Sequence, residues 1–116
     1  MEGLAGKNCV PYPKGSAALS EGDRDTLGKI IPAWSIVDGQ RIRREYRFKT
    51  YLDGVQWVQL IGRVADEQDH HPDIHVLYRK VLVELWTHTV NGLSENDFIV
   101  AAKFDQIYDT FDGRKI

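Results

Sequence analysis

The sequence predicts an α+β domain: an antiparallel four-stranded sheet with helices packed on one face, in the order α-β-β-α-β-β-α. Three observations carry this. Short β-prone runs come in two pairs, residues 34–37 with 41–48 around Asp38-Gly39, and residues 74–78 with 81–88 around Arg79-Lys80. Ser20, Thr50 and Ser94 are each followed three residues later by an aspartate (Asp23, Asp53, Asp97), the spacing that satisfies the free amides of a new helix. Apolar residues at helical spacing follow each of these caps. Strand pairs joined by hairpins, with helices between them, bury one sheet face under helices.

Each element follows from local chemistry. Residues 1–18, rich in Gly, Pro, Lys and Ala, read as an extended arm held on the body through Val10 and Tyr12, ahead of a single domain over 19–116. After Ser20, Leu27, Ile30 and Ile31 form the apolar side of a short helix that Pro32 ends. In the second run Ile42, Tyr46 and Phe48 share a face that Arg44 interrupts, while Arg41, Arg43, Glu45 and Arg47 take the solvated face. Val55, Val58, Ile61 and Ala65 are the expected core stripe of the second helix, which reaches about Gln68; Pro72 disfavours helical geometry at His71. In the last strand Val81, Val83, Leu85 and Thr87 point one way, and Leu82, Glu84, Trp86 and His88 the other. Asn91-Gly92 turns the chain, and the final helix presents Phe98, Ala101, Phe104 or Asp105, Tyr108 and Phe111.

Composition narrows the function. A chain of 116 residues, 42% hydrophobic, supports one modest core and leaves much of its surface exposed, so self-association is expected. A formal net charge of -2 gives no reason to expect a nucleic-acid or membrane partner. The lone Cys9 forms no internal disulfide, no apolar run has spanning length, and a cytoplasmic setting is expected. Phosphate-cradling glycine loops and G-x-S-x-G elbows are absent from the sequence.

One dense titratable cluster remains. All 4 histidines, His70, His71, His75 and His88, fall within residues 70–88, with Asp66, Asp69 and Asp73 beside them. Imidazole exchanges protons near neutral pH, and two or three in one pocket can serve both ends of an elimination. The bland readings are a solvated His-His loop, a decorated strand face at His75, and a helix cap at Asp97. A zinc site is not expected, because H-H-P-D-x-H matches no zinc spacing and thiolate ligands are lacking.

The same stretch carries a resemblance. D-E-Q-D-H-H-P-D at 66–73, then Tyr78, Thr87-His88, and G-L-S-E-N-D at 92–97 resemble the pattern of the pterin-4a-carbinolamine dehydratases, also known as the dimerisation cofactor of a homeodomain transcription factor. The resemblance implies a hydro-lyase that dehydrates 4a-hydroxytetrahydrobiopterin to quinonoid dihydropterin during tetrahydropterin recycling for aromatic amino-acid hydroxylation. It implies His70, His71 and His88 as catalytic residues, with His70 and His88 moving protons and His71 orienting the pterin. It places Asp66, Asp69 and Thr87 around the substrate, with Thr87 offering backbone groups; Trp86, on the strand face of His88, is expected to border the pocket and stands where the family has a small residue. Pro72, Tyr78 and Asp97 complete the motif, and Asp97 is expected to act mainly by starting the last helix. No metal or organic cofactor is implied, and the assembly implied is a homodimer or homotetramer. The alternative is a coactivator or assembly factor on the same fold.

Overall fold

A computed structural model describes residues 3–115 of the chain. The expected element order is present: α1 (Glu21–Gly28), β1 (Ser35–Val37), β2 (Arg41–Arg47), α2 (Tyr51–Gln68), β3 (Asp73–Leu77), β4 (Lys80–Leu85) and α3 (Glu95–Asp109). The four strands form one antiparallel sheet in the order β1-β2-β4-β3. Asp38 and Gly39 both adopt positive φ, at 54° and 66°, and Gln40 N–H bonds Val37 O at 3.0 Å. Positive φ at both central residues gives the turn a twist that matches its strands, which is why Asp-Gly suits it. Ser20 Oγ accepts from Asp23 N–H at 3.2 Å and Thr50 Oγ1 from Asp53 N–H at 3.1 Å, so the first two helices start where their caps predict.

Ile42 and Tyr46 from β2, Phe48 just beyond it, and Val81, Val83 and Leu85 from β4 are fully buried on the helix-covered side of the sheet. Tyr46 and Trp57 meet at 4.2 Å between ring centroids, and Tyr108 stands edge-on to Tyr46 at 4.9 Å. Arg44 shares this side without breaking it. Its guanidinium lies 4.2 Å above the Tyr46 ring and reaches Asp105 of α3 at 2.6 Å. Asp105 also accepts from the Trp34 indole at 3.0 Å and from the Tyr46 hydroxyl. Burial, with Asp105 adjacent, holds that hydroxyl well above the usual phenol range, so it remains a donor.

Three expectations need correction. The core stripe of α2 is Gly54, Trp57, Ile61 and Ala65, with Val58 alongside, while Val55 is exposed. The helix is rotated so that the largest apolar side chain enters the core: a buried tryptophan removes far more surface from water than a valine. Gly54 permits the approach, since a Cβ there would already touch Phe48 and Val81 at 3.4 Å. The last strand ends at Leu85, and His88 opens a single 3-10 turn, His88–Val90. The arm, whose first two residues lie outside the described ones, is not wholly extended. It forms a 3-10 turn at Gly3–Gly6, buries Leu4, and packs Cys9 against the core, whereas the Val10 side chain faces solvent.

The rotation of α2 is testable by urea unfolding. Trp57→Ala is expected to cost about 3–5 kcal/mol, as for a truncated core aromatic, whereas Val55→Ala should stay within about 0.5 kcal/mol, as for an exposed site.

Candidate functional site

The site forms where α2 ends and α3 begins. Asp69 takes a left-handed conformation (φ 50°), which aspartate tolerates better than most residues. His70 N–H then bonds Ala65 O at 3.1 Å and Asp69 N–H bonds Asp66 O at 3.2 Å, closing the helix end. Pro72 stops any continuation. This reversal turns the His70 side chain inward, to 11% exposure, and leaves His71 outside at 57%.

Inside, His70 Nε2 meets Asp97 Oδ1 at 2.6 Å. Asp97 is fully buried. Its second oxygen, Oδ2, accepts from Thr87 Oγ1 at 2.8 Å and from Ser94 N–H at 3.0 Å. The latter bond belongs to the capping box of α3, so the predicted cap is real. It is only half of what Asp97 does, because the same carboxylate holds His70. An ionised carboxylate can only accept, so Nε2 of neutral His70 carries the proton and Nδ1 keeps the lone pair. His71 Nε2 reaches Asp66 Oδ1 at 2.9 Å, but both groups lie in water, where such a pair contributes little.

Trp86 and His88 follow β4, their rings 4.8 Å apart and tilted by 52°. His70, His71, Asp69, Trp86, Thr87 and His88 line a single cavity of about 560 Å³. Thr87 differs from expectation. Its N–H bonds Gly92 O at 2.7 Å, and its carbonyl accepts from Val90 and Gly92, so its backbone is already engaged in the turn. Its contribution is the hydroxyl that fastens Asp97. Asp66 lies beside His71 rather than on the cavity wall. Tyr78 sits at the β3–β4 hairpin, 76% exposed and a strand length from His70 and His71, about 20 Å along the chain. His75 lies on the open side of the sheet, exposed. Among the described residues, no group of three His, Cys, Asp or Glu side chains is placed to hold a metal ion. No described helix is long and apolar enough to cross a membrane.

Sequence reasoning missed the remaining wall, which is the arm: Cys9, Val10, Pro11 and Tyr12, together with Gln68 and Asn96. Cys9 supplies shape rather than reactivity. Burial pushes its thiol up to about 11, Lys103 acting against the shift and Asp97 adding to it, so the thiol stays protonated at neutral pH.

Comparison with known proteins agrees with this geometry. The sequence model of the family described as "Pterin 4 alpha carbinolamine dehydratase" matches residues 17–107. A Rubrobacter xylanophilus protein assigned by name to that family is 36% identical over 107 residues, covering 92% of this chain and 100% of its own. Pterin-4-alpha-carbinolamine dehydratase 2, mitochondrial, of Arabidopsis thaliana is 34% identical over 90% of this chain and 58% of its own. The crystal structure of a transcriptional coactivator/pterin dehydratase from Brucella melitensis superposes with a TM-score of 0.74 at 31% identity, covering 78% of this chain and 97% of the other. A family match spanning the sheet, α2, most of α3 and the cavity's histidines leaves one assignment: the chain belongs to the pterin-4a-carbinolamine dehydratase family.

Proposed function

We propose that the protein dehydrates a 4a-hydroxytetrahydropterin, the substrate class being 4a-hydroxytetrahydrobiopterin, to the quinonoid dihydropterin and water. The observation that carries the reading is the buried Asp97–His70 pair opening onto a cavity shared with His71 and His88. A protein that only bound partners would have no chemical need for three imidazoles on one cavity wall.

The elimination needs a base and an acid. Nδ1 of His70, free because Nε2 is committed to Asp97, takes the proton from the ring nitrogen of the carbinolamine. The electron pair of that N–H bond forms the C=N bond to C4a, and the C4a–O bond breaks. Protonated His88 gives its proton to the departing hydroxyl, which leaves as water. His88 makes no ring hydrogen bond among the described residues and is exposed, so it re-protonates from solvent while His70 releases its proton. No net proton is gained or lost. His71, fixed loosely by Asp66, orients the pterin. Asp69 and Trp86 bound the ring from the cavity wall, and Trp86 presents a flat apolar surface beside His88. Turnover by this route proceeds through side chains alone, in a cytoplasmic setting of pterin recycling.

Self-association is proposed on the same footing. β3 is an outer strand whose far side has no strand partner among the described residues, and Val76, Leu77 and Tyr78 at its end are 37%, 44% and 76% exposed. Tyr51, Leu52, Val55 and Leu60 leave a second apolar surface along α2.

Stopped-flow loss of 4a-hydroxytetrahydropterin tests the activity. His70→Ala and His88→Ala are each expected to lower the rate by about 100-fold or more, the usual scale for a positioned acid or base. Asp97→Asn should follow His70→Ala, because the amide would donate to Nε2 and move the proton to Nδ1, as when an Asp–His pair is given the wrong tautomer. Wild-type rates in folded variants would refute the assignment. Analytical ultracentrifugation at micromolar concentration should show a dimer or tetramer; a monomer would contradict the assembly.

A further inference from the structure

The arm is fastened to the same two helices that hold His70. Asn96, next to Asp97 in the first turn of α3 and 5% exposed, grips the backbone of Val10 twice: Val10 N–H donates to Oδ1 at 3.0 Å, and Nδ2 donates to Val10 O at 2.6 Å. Gln68, the last residue of α2, accepts from Cys9 N–H at 2.7 Å and donates to the Asn8 side chain at 3.1 Å. Further along, Gly15 N–H bonds Thr89 O at 3.0 Å. The segment therefore spans the cavity from α2 and α3 on one side to the turn after β4 on the other. Between these fastenings lie Pro11 and Tyr12, both on the cavity wall, with no side-chain hydrogen bond to the body among the described residues.

We infer that this arm is the substrate-closing wall of the site, with Tyr12 a specificity-determining contact and Asn96 the positioning residue that sets the arm against the bound ring. The inference rests on the pterin reading for the identity of the ligand. The chemistry is complementary. The histidine wall supplies proton transfer, while Pro11, Tyr12 and Trp86 supply apolar surface for a flat fused heterocycle. A backbone clasp suits this task, because two hydrogen bonds to the N–H and C=O of one residue fix position without depending on the Val10 side chain, which points outward. The family model begins at residue 17, so the arm stands outside the part of the chain that carries the shared motif. Variation there can change which pterin is accepted without touching the catalytic groups.

The test combines catalysis, binding of oxidised biopterin as an unreactive ligand, and amide hydrogen exchange. Tyr12→Ala and Asn96→Ala are expected to raise both KM and the biopterin Kd by about 5- to 10-fold, the effect of a lost contact of roughly 1–1.4 kcal/mol, with a smaller change in kcat, as for a binding contact shared by ground and transition states. Lys14→Ala, exposed on the same arm and off the cavity wall, should leave both constants at wild-type values. Saturating biopterin should slow exchange at the Val10 amide, a response that a merely structural clasp would not give. Tyr12 is a partly exposed residue, so its variant remains informative even where Asn96→Ala is poorly folded. Turnover with wild-type KM in Tyr12→Ala, or Val10 exchange indifferent to biopterin, overturns the arm's role and leaves the dehydratase reading standing. Arm-dependent biopterin binding without turnover supports the arm and overturns the dehydratase reading. A chain that binds no biopterin overturns both.

Discussion

The carboxylate of Asp97 is buried completely and joins three stretches of chain that are otherwise separate. Oδ1 holds His70 at the end of α2; Oδ2 holds Thr87 after β4 and the Ser94 amide at the start of α3. A carboxylate without partners would be severely destabilising in such a place, and its desolvation is offset only if its acceptor sites are filled by well-placed donors. Here a hydroxyl, a backbone amide and an imidazole fill them. Helix α3 thus cannot start without placing Asp97, and Asp97 cannot be satisfied without drawing His70 and Thr87 to it. The His70 imidazole is oriented by the same bonds that complete the fold.

Magnitudes separate this pair from its neighbour. His71 and Asp66 are also at hydrogen-bonding distance, 2.9 Å, but they stand in water. Exposed pairs of this kind contribute at most about 1 kcal/mol and hold side chains loosely. Two adjacent histidines therefore receive different surroundings from a single feature of the backbone, the left-handed Asp69 that sends one side chain inward and the next outward. The identity of the His-His dipeptide does not distinguish them; the helix ending does.

What the sequence makes legible follows the range of each interaction. Caps, turns and strand alternation act within a few residues, and Ser20, Thr50, Asp38-Gly39 and the β4 face were all readable. The rotation of α2 was not, because periodicity treats Val55 and Trp57 alike while the core favours the larger ring. Asp97 was readable as a cap, since Ser94 is three residues away; its bond to His70 crosses 27 residues and leaves no local mark. The arm was hidden for a different reason. Its fastening uses the N–H and C=O of Val10, groups that every non-proline residue possesses, so the sequence suggested an extended arm held through Val10 and Tyr12 but not the cavity it walls. Tyr78 shows the converse: it completes the family motif yet lies on a hairpin remote from the cavity.

Asp97 fixes which nitrogen of His70 carries the proton. Long-range ¹⁵N–¹H NMR spectra of the His70 ring, recorded with the imidazole neutral, measure this directly. The wild-type protein should show the proton on Nε2 and an unprotonated Nδ1, and Asp97→Asn should shift the population toward the Nδ1-protonated form. An Nδ1-protonated ring in the wild type, or a ring tautomer unchanged in Asp97→Asn, would contradict the account.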